Sequence, residues 1–127
     1  MKNILSIAAV SGVMCILLGA FGAHGLKPLL SSEMLAAYET GVRYQFYHTI
    51  VLILIAVLYH QHNNPKFKRA ASFFYAGVLL FSGSLYLLAF TSIHNHSWHW
   101  VGLITPIGGV CFVVGWVYLF LASKSFQ

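Results

Sequence analysis

Four stretches of this chain carry no Asp, Glu, Lys or Arg: residues 3–26, 44–65, 70–93 and 98–123. Each exceeds the roughly 20 residues that an α-helix needs to cross a hydrocarbon core about 30 Å thick. That single pattern removes most folds. Lipid offers the backbone no hydrogen bonds, so only helices and closed barrels can span it. The runs lack the apolar–polar alternation of barrel strands, which leaves helices. An all-α integral membrane four-helix bundle is therefore expected, as one transmembrane domain over residues 1–127. The composition agrees, with 59% hydrophobic and only 7% charged residues. A soluble fold of this size could not bury so much apolar surface.

The first run imitates a signal peptide: Lys2, an apolar core, then Ala20-Phe21-Gly22 as a passable cleavage site. Small residues argue for retention. Ser11, Cys15, Gly19 and Ala23 recur every four residues, a stripe that would let another helix approach closely. Gly108 and Gly115, seven apart, form a second such face. Together the two faces exceed what one small bundle needs, so a homo-oligomer is expected. Pro106 should kink the last helix or leave a carbonyl near Thr105 unpaired.

Orientation follows from the basic residues. Lys2, Lys66, Lys68, Arg69 and Lys124 fall on one side of a four-crossing chain, and Lys27 and Arg43 on the other. Five against two predicts a plasma-membrane protein with both termini in the cytoplasm. The basic excess forms no stripe, so no nucleic-acid partner is expected. Cys15 and Cys111 make no CxxC pair and no thiol metal site. Between the first two spans, Ser32 can cap a short amphipathic interfacial helix with Glu33 in its first turn. Met34, Leu35, Tyr38 and Val42 share its apolar face, and it runs through Thr40-Gly41 into the second span. Trp98 and Trp100 suit the interfacial aromatic belt.

Counting about 1.5 Å per residue brings the unusual polar residues to the outer half of the membrane. They are His24, Glu39, Arg43, Tyr44, His48, Ser84, Tyr86 and Thr105. Glu39 with Arg43, and Tyr44 with His48, are four apart and can meet on a helix. Two readings remain open for this cluster. As a structural cap, Glu39 pairs with Arg43 and His48 bonds to Ser84 or Tyr86. As a site, Arg43 and His48 hold an anionic headgroup or relay a proton. His94, His96 and His99 could in principle bind zinc or copper. However, His94 and His96 would not share a helix face and no carboxylate or thiol is obviously in reach. No metal is expected, and no haem between His24 and His48.

The segments "GAFGAHGLK", "ETGVRYQFYH", "LFSGSLYLLA" and "ITPIGG", with "GW" at Gly115-Trp116, span almost the whole chain in order. In these the chain resembles domain-of-unknown-function family 423, small four-helix membrane proteins of bacteria with animal relatives grouped as transmembrane protein 256. The resemblance implies an uncleaved multi-pass protein. It implies no reaction, cofactor or catalytic residue, because none is established for the family. The expected role is non-enzymatic, structural or lipid-interacting, with membrane lipids as partners. The alternative is a small transporter or channel subunit that uses the polar cluster. An enzyme acting on lipid or quinone ranks third, since Ser84, His48 and Glu39 form a triad only on paper and no GxSxG elbow accompanies them.

Overall fold

A computed structural model describes residues 2–94 and 98–126. The uncharged runs lie in four helices: α1 Lys2–Leu26, α2 Ser32–His62, α3 Pro65–Ile93 and α4 His99–Phe126. By length and composition each can cross a membrane. The chain is thus an all-α protein with four candidate spans.

The interfacial segment is helical, and it is continuous with the second span rather than a separate element. Ser31, not Ser32, caps it: its backbone is extended and its Oγ accepts from the Met34 N–H at 3.2 Å. Gly41 does not break the helix. It lets α3 come close, for Ser82 Oγ donates to the Gly41 carbonyl at 2.7 Å. A Cβ on Gly41 would stand 3.0 Å from the Tyr86 ring.

The turn between α2 and α3 is two asparagines. Asn63 takes the left-handed conformation at φ 46° and donates its N–H to the Tyr59 carbonyl, ending α2. Asn64 Oδ1 then accepts from the Lys66 N–H at 3.0 Å, and Pro65 occupies the first turn of α3. The helix therefore begins five residues before the uncharged run, with Lys66, Lys68 and Arg69 in its opening turns.

Ile4 of α1, Phe67 of α3 and Ala122 of α4 belong to one buried apolar cluster with Leu52, Phe74 and Phe112. Asn64 Nδ2 donates to Ser125 Oγ at 3.1 Å. The start of α1, the α2–α3 turn and the end of α4 thus share one end of the bundle. Two of its cations lie on aromatic faces: Lys68 is 5.3 Å from the Tyr59 ring centre and Lys124 5.1 Å from that of Phe120.

The small-residue faces are spent inside the chain. Ser11 and Cys15 face α2, and a Cβ on Gly19 would sit 3.7 Å from Val42. Ala23 leaves this face and is exposed, while Gly22 takes its place under the Tyr38 ring. A strict four-residue repeat precesses by about 40° per step on a helix of 3.6 residues per turn, so three steps carry Ala23 off the stripe. Gly108 abuts the backbone of Leu80 and Phe81, and Gly115 abuts the Phe74 ring. These contacts lie within one chain, and Ala23 stays on its surface.

Pro106 falls near the start of the α-helical part of α4. It is the third residue of the α-helical stretch Ile104–Ser123, just after the tighter turn His99–Leu103. At such a start a missing N–H removes little from the ladder. Two further irregularities are wide π turns at Gly22–Leu26 and Val78–Ser82.

Candidate functional site

The expected outer cluster does not assemble as one unit. Its residues divide among three polar sets and the helix surfaces. His24, Glu39, Arg43 and Tyr44 have exposed side chains. The Arg43 guanidinium donates to Thr40 Oγ1 at 3.3 Å, and no ion pair with Glu39 forms among the described residues. Helical spacing alone permitted that pair; Thr40, one turn back, takes the donor instead.

His48 bonds to neither Ser84 nor Tyr86. It faces α4, stacked on Phe112 with ring centres 3.7 Å apart and planes within 8°. Trp116 Nε1 donates to His48 Nε2 at 3.2 Å. Indole nitrogen can only donate, so Nε2 accepts, the ring is neutral, and its proton is on Nδ1. Nδ1 donates to the Tyr44 carbonyl at 2.7 Å. Both ring nitrogens are committed. Arg43 faces α1, lining shallow hollows with Gly19, Tyr38 and Cys15. The proposed Arg43–His48 headgroup site is thereby divided between opposite sides of α2.

Ser84 and Thr105 form the second set, joining α3 to α4 at 2.6 Å between hydroxyls. Ser84 Oγ donates to the Phe81 carbonyl at 2.8 Å, so Thr105 donates to Ser84. With Ser84 thus engaged and Glu39 exposed, no Ser–His–Glu constellation exists.

The third set was only partly foreseen. Tyr86 O–H donates to Gln45 Oε1 at 2.6 Å, and Gln45 Nε2 donates to Ser11 Oγ at 3.1 Å. Ser11 and Thr49 hydroxyls lie 2.7 Å apart, and Thr49 Oγ1 donates to the Gln45 carbonyl at 2.8 Å. The donors therefore run one way, from Tyr86 to Gln45 to Ser11 to Thr49 and back to α2. Gln45 is buried within the bundle yet satisfied at both ends of its amide. Ser11, expected for its small size alone, is a central member.

This chain of hydroxyls forms one wall of a cavity of about 520 Å³ between α1, α2 and α3. Such a volume is that of a small-molecule site, typically about 300–1,000 Å³. Ser11, Gln45 and Tyr86 supply its polar side, and Val78, Leu79 and Gly83, in and beside the second π turn, its apolar side. A π turn widens the helix, and such turns gather at functional sites. Val10 and Leu79 on the rim are 61% and 74% exposed, so the cavity opens sideways, toward lipid. Tyr75 also lines it, but its hydroxyl, which has no hydrogen-bond partner, is buried away from the open space.

Sequence reasoning missed Gln45, Thr49, Tyr75 and Trp116. Gln45 and Thr49 could have been found from their four-residue spacing in an otherwise apolar run. Tyr75 and Trp116 read as ordinary aromatic residues of a span. Among the described residues, no three His, Cys, Asp or Glu side chains gather as a metal site; His96 lies outside those residues.

Residues 18–109 match the family described as "Protein of unknown function (DUF423)". The chain belongs to this family. It is 44% identical over 125 residues to a UPF0382 membrane protein of Haemophilus influenzae, covering 97% of this chain and 95% of the relative. Against the UPF0382 membrane protein YwdK of Bacillus subtilis it is 35% identical over 127 residues, with 99% of each covered. Against the UPF0382 inner membrane protein YgdD of Escherichia coli it is 37% identical over 122 residues, 96% of this chain and 89% of the relative. No solved structure matches the chain. The relatives' names carry membrane residence and no reaction, so any site must be argued from the geometry.

Proposed function

We propose that this chain is a non-enzymatic, lipid-interacting protein of the plasma membrane, with both termini in the cytoplasm, that holds a lipid hydrocarbon chain in its lateral cavity. The cavity carries the reading. Its lining is apolar apart from one fixed polar wall, and its rim is formed by exposed side chains of lipid-facing helices. The orientation rests on the five basic residues at the end that holds both termini, against Lys27 and Arg43 at the other. The E. coli relative's name, an inner membrane protein, supports the same compartment.

The transport alternative is less well supported. A relay or ion path needs polar groups linked along the membrane normal, and here they form three closed sets whose donors are spent on one another. A nucleophile is likewise lacking, since Ser84 is engaged by Thr105 and the Phe81 carbonyl.

Gly83 provides the test. A Cβ there would meet nothing within 4 Å, so a large side chain has room to enter the cavity. Gly83→Trp is expected to lose lipid that native mass spectrometry detects on the wild type released from nanodiscs, at an unchanged or higher melting temperature. Equal lipid retention by both proteins would overturn the reading.

A further inference from the structure

The groove between α1 and α2 holds what the lateral cavity lacks, two opposite charges beside one hollow. Glu39 and Arg43, a helical turn apart on α2, line a hollow of about 240 Å³ together with Gly19 of α1. Opposite charges at this spacing can pair. Here the Arg43 guanidinium bonds to Thr40 Oγ1, and the exposed Glu39 carboxylate accepts no hydrogen bond among the described residues. Most of the guanidinium donors and both carboxylate oxygens are thus open to an occupant.

A second hollow, of about 220 Å³, adjoins the first, for Val42 and Arg43 line both. Its other residues carry no charge: Cys15 and Ile16 of α1, Phe46 and Tyr47 of α2. The two helices run antiparallel, since Ser11 meets Thr49 while Gly19 meets Val42. Both helices therefore place the charged hollow toward the bundle end away from the termini, and the apolar hollow toward the middle. Arg43 immediately precedes the uncharged run 44–65 and lies 20 residues, about 30 Å, from Asn63. That length is the thickness of a hydrocarbon core, so Arg43 stands at its margin and Glu39 about 6 Å farther out. Charge at headgroup level, continuous with an apolar hollow below it, has the polarity of a membrane phospholipid.

The two charges select the headgroup. A guanidinium matches a phosphodiester through several charge-assisted hydrogen bonds. Glu39 then disfavours a second anion and favours a cation beside that phosphate. A quaternary ammonium has no N–H for a carboxylate and is held by open aromatic faces, whereas the Tyr38 ring at this hollow is fully buried. A primary ammonium brings three N–H donors.

We propose that the α1–α2 groove is a binding site for phosphatidylethanolamine. Arg43 holds the phosphate, Glu39 holds the ammonium, and one acyl chain runs inward past Ile16, Phe46 and Tyr47. No residue lines both this groove and the lateral cavity, so the site is separate from the one on which the proposed function rests. Glu39 sets the choice of headgroup, and Arg43 with the apolar hollow supplies the affinity.

The test titrates the full chain in detergent micelles with five probes and reads binding by native mass spectrometry. Four probes share the same acyl chains: phosphatidylethanolamine, its N,N-dimethyl derivative, phosphatidylcholine and phosphatidylglycerol. The fifth, glycerophosphoethanolamine, is the headgroup without chains. Wild type is expected to bind phosphatidylethanolamine about tenfold more tightly than phosphatidylcholine or phosphatidylglycerol, a ratio equivalent to about 1.4 kcal/mol. The dimethyl lipid should fall between them, and the chainless headgroup should not bind detectably. Glu39→Gln should bring the ratio to phosphatidylglycerol near one, and Arg43→Gln should weaken all four lipids. Glu33→Gln removes an exposed acid outside the hollow and Gly83→Trp fills the lateral cavity, so both should leave the preference unchanged. Equal binding of the four lipids by wild type, or a preference that survives Glu39→Gln or is lost with Glu33→Gln, would overturn the headgroup assignment. Loss of the preference in Gly83→Trp, or binding of the chainless headgroup as tight as that of the lipid, would overturn the groove as the site.

Discussion

Adding one methyl group at Gly108 should separate α3 from α4, whereas the same change at Gly109 should not. A Cβ on Gly108 would stand 2.3 Å from the Phe81 nitrogen, 2.7 Å from its Cα and 2.8 Å from the Leu80 carbonyl carbon. All three are backbone atoms, so no side chain can swing aside. Reaching ordinary contact at 3.4 Å requires the helices to part locally by about 1.1 Å. Overpacking of this kind costs about 1–3 kcal/mol. The Ser84–Thr105 bond crosses the same interface at 2.6 Å. The same displacement along that bond would stretch it past useful range and forfeit about 0.5–1.5 kcal/mol. Alanine returns up to about 1 kcal/mol as a better helix former than glycine. The net expectation for Gly108→Ala is a loss of roughly 0.5–4.5 kcal/mol. At Gly109 the nearest atom is the Phe81 Cδ2 at 4.0 Å, so only the propensity gain remains and stability should hold or rise. Reversible unfolding of the two variants in mixed micelles, titrated with SDS and followed by circular dichroism, measures the difference. Equal stabilities would refute the close backbone approach and, with it, the assignment of this glycine face to the α3–α4 interface.

Three further outcomes are expected. In a protein lacking both native cysteines, Leu29→Cys should react with a membrane-impermeant thiol reagent in intact cells and Asn64→Cys should not; the opposite pattern would invert the orientation. A double-mutant cycle over Glu39→Gln and Arg43→Gln should give a coupling energy below about 0.5 kcal/mol, because Arg43 is bonded to Thr40 rather than to Glu39. A coupling above about 1 kcal/mol would restore the ion pair. His48→Phe can keep the stack on Phe112 but cannot accept from Trp116, so it should cost about 1 kcal/mol. The Trp116 indole N–H resonance should also move upfield in heteronuclear NMR, and an unmoved resonance would show that this bond is not made.

The four spans were legible because they depend on a sum over 20 or more residues, and no single side chain can spoil such a sum. Helix ends depend on one or two residues and were read less well. Asn63 and Asn64 stop one helix and start the next by a left-handed turn and a side-chain cap, so α3 starts at Pro65 although charge continues to Arg69. The small-residue stripes could be seen in the sequence, but not what packs on them. A stripe shows that something packs closely, and it does not say whether the neighbour is in the same chain. Here the neighbours are Val42, Phe74 and the backbone at Phe81, all internal.

The polar residues were harder for a physical reason. Depth along a helix is a linear count, but partnership depends on the angle around the helix, and an error of one residue turns a side chain by about 100°. Arg43 and His48 share a depth range and point to different neighbours, α1 and α4, while Glu39 lines the same hollow as Arg43 without pairing with it. Gln45, two residues from Arg43, points to α1 and α3 together, which is why it can tie Ser11 to Tyr86. Inside lipid, that angular position carries the functional meaning. A donor turned toward a neighbouring helix finds an acceptor and becomes structure, as Tyr86 does.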